Sequence, residues 1–165
     1  MKTGKILSGI SGEYFVAGEL SRRGYVAALT LRNNADTDIV VTTDDGTKSF
    51  NIQVKTSNRE KSNMWPMGSK PLETKPEWEG DFYYVFVSIS SESTDNKIDY
   101  YIVPKNLANK SEEESHQMWL KGKKKSGKER MSQMRCLHIE KTIPNFEQYK
   151  NENGWLKLKE ILNKK

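Results

Sequence analysis

The chain has 165 residues, 35% hydrophobic and 30% charged, with four Trp, seven Tyr and five Phe. This composition excludes a disordered chain and is enough for one domain with a hydrophobic core. No apolar run approaches the roughly 20 residues of a membrane span, and the first five residues lead into no apolar stretch, so we expect neither a membrane anchor nor a secretory signal. The single cysteine, Cys136, excludes an intrachain disulfide framework, and the expected location is the cytoplasm.

The predicted elements follow the order helix, run of strands, helices. The first helix covers residues 8–23 and ends at Gly24, a typical C-cap residue. Strands are predicted at residues 25–31, 38–42, 48–56, 82–89 and 99–103. A hairpin turn, Asp44-Asp45-Gly46, joins the second strand to the third. After a helical turn opened by Pro104, helices are predicted at residues 111–120, 146–150 and 155–162.

This order predicts an α/β (α+β) fold with a mixed sheet of about five strands flanked by helices. The chain shows no internal repeat and no composition break, so residues 1–165 are predicted as one domain. Its core would cover residues 8–104, and residues 105–165 would form a helical C-terminal extension with a basic loop. Residues 57–80, which include Trp65 and Trp78, are long for a loop and should contain a short helix or a functional segment.

The net charge of +5 comes from one segment, residues 121–135, because residues 1–120 contain more acidic than basic side chains. A basic segment can bind a phosphate backbone, although a solvated loop has the same composition. Its candidate nucleic-acid-binding residues are Lys123, Lys124, Lys125, Lys128 and Arg130. Residues 122–128 also match the phosphate-loop pattern G-x-x-x-x-G-K, but Glu129 stands where a Mg²⁺-binding Ser or Thr is needed, so we predict no nucleotide-binding loop.

One acidic residue lies on the apolar face of the first helix. At about 100° per residue, an apolar arc is formed by Ile10, Val16, Ala17 and Leu20. Glu13 lies in the middle of this arc, whereas Glu19 lies outside it. A carboxylate in such a position is costly unless it is paired, hydrogen-bonded or metal-bound, or reaches solvent near the helix end.

The third strand alternates apolar and polar residues, which places Gln53 and Lys55 on one face. Asp38 opens the second strand, which pairs with the third through the hairpin. An acid, an amide and an ammonium are therefore predicted to lie close together, and the first helix could place Glu13 over the same spot. An ordinary half-exposed strand explains Gln53 and Lys55 equally well if they are considered alone.

Together these residues resemble the PD-(D/E)XK nuclease superfamily, particularly its Holliday-junction-resolvase-like and restriction-endonuclease-like members. The resemblance covers residues 9–56. The family motif is an acidic residue on the first helix, an Asp at a strand start, and (D/E)-x-K one hairpin later. The matching stretches are residues 12–20 with Glu13, Thr37-Asp38-Ile39-Val40, and Ile52-Gln53-Val54-Lys55.

The resemblance implies a restriction-endonuclease-like core and an Mg²⁺- or Mn²⁺-dependent endonuclease that hydrolyses DNA in bacterial DNA processing or defence. By this resemblance Glu13 and Asp38 are metal ligands, the Gln53 side-chain oxygen and the Val54 carbonyl are secondary ligands, and Lys55 is the catalytic ammonium. DNA is the expected partner, with RNA as the alternative nucleic acid. A homodimer would match members of this fold that cut both strands.

Two positions depart from the family motif. Thr37 replaces the motif proline, which is a mild change, and Gln53 replaces an acid, which removes one negative charge and lowers the expected metal affinity. Acids that could substitute for it are Glu19, Glu73, Glu77 and Glu79. The missing charge keeps open a second interpretation, a catalytically inactive nuclease-fold module that binds nucleic acid or a protein partner.

Overall fold

The computed structural model describes residues 4–31, 36–57, 64–89, 97–123, 127 and 129–163. The helices in these ranges are α1 (Lys5–Arg22), α2 (Lys105–Lys121), α3 (Ile139–Thr142) and α4 (Asn151–Asn163). The strands are β1 (Tyr25–Leu29), β2 (Ile39–Thr43), β3 (Ser49–Ser57), β4 (Trp65–Gly68), β5 (Phe82–Ile89), β6 (Ile98–Pro104) and β7 (Arg135–Leu137). Short 3₁₀ helices cover Pro76–Trp78 and Phe146–Tyr149. Within the described part of the chain, no helix has the length and apolar character needed to cross a membrane.

A five-stranded mixed sheet with the order β1-β2-β3-β5-β6 forms the centre of the fold. The pair β3 and β5 is parallel, and the other neighbouring strands are antiparallel. A parallel pair needs a crossover connection, which the segment between β3 and β5 supplies. Strands β4 and β7 form a separate antiparallel pair. The predicted mixed sheet of five strands flanked by helices is therefore confirmed.

Two apolar clusters cover the two faces of this sheet. On the first face, α1 packs against β1 and β3, and α4 packs against β6. The cluster between these helices and the sheet contains the fully buried Val16, Leu20, Ile52 and Leu158. On the second face, α2, α3 and the β4–β7 pair cover Tyr84, Phe86, Tyr101 and Val103. Both faces of β5 are consequently buried, which explains why residues 82–89 form a continuous apolar run.

The helix after β6 is longer than predicted. The sequence predicts a turn at Pro104 and a helix over residues 111–120, whereas α2 is continuous from Lys105 to Lys121. The prediction was too short because the buried face of α2 is mostly polar, so hydrophobic periodicity does not mark its first half. The buried polar and charged residues of α2 are Lys105, Asn109, Ser111, Glu112 and His116.

Residues 57–80 contain both the expected short helix, Pro76–Trp78, and a strand that the sequence did not predict, β4. Trp65 of β4 is fully buried in the second cluster, and its indole N–H donates to the Val87 carbonyl at 3.2 Å. The partner of β4 is β7, about seventy residues later in the chain. A four-residue strand that pairs so far away carries little local signal.

Helix α1 lies close against β3 at Gly12. A Cβ atom at this position would lie 1.9 Å from the Oγ1 atom of Thr56, 3.1 Å from its Cβ and 3.2 Å from its Cγ2. Because threonine is branched at Cβ, a rotation that moves Oγ1 of Thr56 away from position 12 brings another group of the same side chain towards it. The absence of a side chain at Gly12 is therefore what lets α1 lie against the second half of β3.

We expect Gly12→Ala to destabilise the protein by about 1–3 kcal/mol, because the added methyl group overpacks the contact with Thr56. The matched control is Gly18→Ala in the same helix, where an added Cβ meets nothing within 4 Å. That control should stabilise the fold by about 0.5–1 kcal/mol through helix propensity. Urea unfolding of both variants checks the prediction, and equal stability of the two would contradict it. Thr56→Ala should partly rescue Gly12→Ala.

Candidate active site

Strands β2 and β3 separate at one end of their hairpin, and Asp38 lies at that fork. The two strands pair from Ser49 to Ile52 on β3, so the edge of β3 beyond Ile52 is not paired with β2. The Asp38 backbone N–H donates to the Ile52 carbonyl at 2.9 Å. The Val54 backbone N–H, on the open edge of β3, donates to the Asp38 carboxylate at 2.7 Å. Asp38 is thus fixed to β3 through both its backbone and its side chain.

Gln53 and Lys55 flank Val54 and point to the second face of the sheet. Their register partners on β5 are Tyr84 and Phe86, which belong to the second apolar cluster. Gln53 is 8% exposed and Lys55 is half-buried. The structure therefore brings Asp38, Gln53 and Lys55 together around one stretch of β3, as predicted.

The charge state of Lys55 reflects two opposing effects. Burial lowers the pKa of its ammonium group from the ordinary value of 10.5, whereas the negative charges of Asp38 and Asp36 act to raise this pKa. Both carboxylates therefore lie within electrostatic reach of the ammonium. A lysine with a lowered pKa gives up a proton more easily than an exposed one, which suits a role in activating water.

Glu13 lies on α1, which packs on the other face of the sheet. It is half-buried on the same face of α1 as Val16 and Leu20, which agrees with the predicted arc. The adjacent Gly12 contacts Thr56, the residue after Lys55. Because α1 packs on the first face while Gln53 and Lys55 point to the second, the Glu13 carboxylate can join Asp38 only across the open edge of β3.

The donors around the fork are hard oxygen atoms. Asp38 provides a carboxylate, Gln53 an amide oxygen and Val54 a carbonyl, and the predicted fourth donor is the Glu13 carboxylate of α1. Such atoms are the preferred ligands of Mg²⁺ and Mn²⁺. Among the described residues, no cluster of three or more His, Cys, Asp or Glu side chains could hold a metal ion. The chemistry of these donors fits a hard cation.

Comparison with known proteins identifies a fold and no family. No protein-family model matches the chain, and no curated protein matches it. The chain is similar to the solved structure of a bacterial homing endonuclease, I-Ssp6803I, with a TM-score of 0.55, 13% sequence identity and coverage of 96% of this chain and 95% of that chain. The chain shares that fold. The expectation of a nuclease-like fold is therefore confirmed over nearly the whole length of both proteins.

The acids considered as substitutes for the missing motif carboxylate have other surroundings. Glu19 accepts hydrogen bonds from Arg22 and Arg23. The Arg23 guanidinium also donates a hydrogen bond to Glu152 of α4. These arginines lower the pKa of Glu19 and hold it in an ion-pair network. The other three candidates, Glu73, Glu77 and Glu79, are exposed. Glu19 therefore helps to join α1 to α4 through Arg23. Among the described residues, no contact brings any of these four acids to Asp38.

Several charged neighbours of the site were missed by sequence reasoning. The ammonium of Lys105 lies 3.5 Å from the carboxylate of Asp36. The negative charge of Asp36 acts on Lys55 and Tyr84, and the charges of Lys55 and Lys105 repel each other. Burial raises the pKa of the Tyr84 hydroxyl, and the carboxylates of Asp36, Asp38 and Glu112 add to this effect. Asp36 could have been noticed from its spacing to Asp38, but no sequence signal connects Lys105 to either residue.

The basic segment follows α2, and only part of it lies within the described residues. Lys124, Lys125 and Lys128 lie outside them, whereas Lys123 is exposed and forms a β-bridge with Glu129. The guanidinium of Arg130 donates to the Trp119 carbonyl at 3.2 Å and lies 5.0 Å from the centre of the Trp119 ring. Arg130 is therefore engaged with the end of α2, and Lys123 is the described candidate best placed for phosphate contact.

We expect Lys55→Met to raise the free energy of unfolding at pH 7, because it keeps the length of the side chain and removes a charge that burial disfavours. The pKa of Lys55 in the folded protein lies below 10.5, its value in the unfolded chain. Between these two pKa values the unfolded chain binds more protons than the folded protein, so Lys55 makes the wild type more stable as pH rises. Lys55→Met lacks that contribution, so its advantage shrinks toward pH 10.5. Denaturant unfolding across this range, with exposed Lys159→Met as control, checks the prediction. A variant less stable than wild type at pH 7 would contradict it.

Proposed function

We propose that the protein is a metal-dependent endonuclease that hydrolyses phosphodiester bonds in DNA. One observation carries the proposal: the Asp38 carboxylate is fixed by the Val54 N–H, between Gln53 and Lys55, at an open strand edge. The similarity to a homing endonuclease supports it, because the chain shares the fold of a protein of that class.

The proposed roles follow from what phosphodiester hydrolysis requires. The phosphate charge must be neutralised and a water molecule must be activated. Glu13, Asp38, Gln53 and the Val54 carbonyl would hold Mg²⁺ or Mn²⁺, which neutralises phosphate charge and lowers the pKa of a bound water molecule. Lys55 would place the attacking water as an ammonium or, in its neutral amine form, accept the proton of that water.

Gln53 affects how tightly the proposed site binds a metal ion. An amide oxygen can ligate a hard cation but contributes no negative charge, so metal binding without DNA is expected to be weak. The substrate phosphate would then supply the missing negative charge. Metal binding and DNA binding should therefore strengthen each other in this protein.

We expect Asp38→Ala to abolish Mg²⁺ binding in calorimetry, because it removes the best-fixed carboxylate of the site. Gln53→Glu should tighten this binding by restoring a charge. On duplex, branched and single-stranded DNA, Asp38→Ala and Lys55→Ala should each lower metal-dependent cleavage by at least about 100-fold. Lys159→Ala, an exposed change on α4, serves as the control for both measurements. Full cleavage by Asp38→Ala or Lys55→Ala would overturn the assignment.

A second candidate function is DNA binding without cleavage. The absence of a negative charge at Gln53 favours it, and so does the exposed Lys123 at the base of the basic segment. In this case the fold is a binding module and the basic segment supplies the phosphate contacts. Wild-type protein that binds DNA but cleaves none in Mg²⁺ or Mn²⁺ would select this alternative.

For either function, we expect DNA affinity to fall steeply with salt, because lysines that neutralise phosphates release counterions. Neutralising the four lysines of the basic segment, Lys123, Lys124, Lys125 and Lys128, should reduce the slope of log K against log [salt] by about 0.9 for each phosphate that a lysine no longer neutralises. Fluorescence anisotropy at several salt concentrations measures this slope. The control removes Lys141 and Lys159, which are exposed elsewhere, and an equal effect of both sets would exclude a specific role of the segment.

A further inference from the structure

The first residue of α2, Lys105, is a lysine with its charged end inside the protein. Its side chain is 2% exposed, and the Nζ atom has no hydrogen-bond partner among the described residues. Burial of an ammonium group is unfavourable unless other groups compensate the charge. The surroundings of Lys105 therefore need an explanation beyond hydrophobic packing.

Three aromatic rings surround the Lys105 ammonium. The Nζ atom lies 4.4 Å from the centre of the Trp78 ring, 5.3 Å from that of Phe82 and 5.7 Å from that of Tyr84. Aromatic faces attract cations at these distances, so the rings replace part of the lost hydration. Because Tyr84 is the register partner of Gln53 on β3, this aromatic cage borders the candidate active site.

The one ion pair of Lys105 among the described residues joins it to the segment that carries Asp38. Its Nζ lies 3.5 Å from the Oδ1 atom of Asp36, whose side chain is 66% exposed. Thr37, between the two aspartates, is buried, and its carbonyl accepts a hydrogen bond from the Thr30 hydroxyl at 2.8 Å. The segment is thus held at Asp36 by α2, at Thr37 by the end of β1, and at Asp38 by β3.

We propose that Lys105 is a positioning residue of the candidate active site: its caged ammonium holds the Asp36 carboxylate and thereby fixes the segment from which Asp38 reaches the fork between β2 and β3. This inference rests on the proposed function, because it assigns Lys105 a task within that site. Lys105 acts through Asp36 and Asp38 and does not touch the substrate, since its charged end is buried.

The charge of Lys105, and not only its volume, is needed for this task. A methionine has a similar length and would fill the same cage, but it cannot attract Asp36. The charged groups around the ammonium are Asp36, Lys55 and Lys75, and the two lysines repel it. Asp36 is therefore the neighbour that gives the buried charge a favourable partner.

The backbone N–H of Val54 provides a direct readout, because it donates to Asp38. We expect Lys105→Met and Asp36→Asn each to lower the hydrogen-exchange protection of this amide by about tenfold as the segment loosens. The double variant should lose no more than either single variant, since both remove one interaction. Lys110→Met, an exposed change one turn further along α2, is the matched control and should leave the amide protected.

Cleavage assays add a second readout. A displaced Asp38 should lower kcat by about 10- to 100-fold with little change in KM, because the reacting groups and not the DNA contacts are disturbed. Asp36→Asn keeps the proposal testable if Lys105→Met does not fold, because the Asp36 side chain is largely exposed and its replacement leaves both apolar clusters intact.

The outcomes separate this inference from the proposed function. Loss of Val54 protection in both single variants supports the positioning role even if the wild type cleaves no DNA, which would defeat only the nuclease assignment. Unchanged protection in Asp36→Asn would overturn the positioning role, whether or not Lys105→Met is affected. In that case the lysine would support the core through its cage alone.

Discussion

The hydrogen bond from the Val54 N–H to the Asp38 carboxylate is the interaction on which the candidate site depends. It forms because β2 leaves β3 after Ile52, which exposes one backbone donor that a neighbouring strand would otherwise use. A carboxylate satisfies this donor without closing the strand edge, so the fork stays open. The same bond sets the position of Asp38 relative to Gln53 and Lys55.

Two close contacts bring further elements to this fork. On the first face, the missing side chain of Gly12 lets α1, the helix that carries Glu13, lie against β3. On the second face, the buried start of α2 brings Lys105 to Asp36. Further along α2, the fully buried carboxylate of Glu112 forms a salt bridge with Arg135 at 2.9 Å. The side of the fold behind the site therefore contains compensated charges as well as apolar packing.

The likeness to a homing endonuclease at 13% identity shows how little of a sequence is needed to keep such a fold. Alternation along β3 and β5, an apolar face on α1 and tight hairpin turns can be satisfied by many residues. The residues of the proposed site are constrained differently, since a carboxylate and a lysine must occupy particular places. A fold of this kind can therefore persist while the side chains at a site change.

Local patterns in the sequence determined the parts of this protein that depend on neighbours in the chain. They predicted β5 at its observed bounds, the hairpin that carries Asp38 and Lys55, and the position of Glu13 on the apolar face of α1, because periodicity and turn residues act over a few positions. The pairing of β4 with β7, the polar first half of α2 and the contact of Lys105 with Asp36 were decided only by tertiary structure. The strand pairing and the Lys105–Asp36 contact join residues distant in the chain, and the polar face of α2 is buried favourably only where the folded protein compensates it.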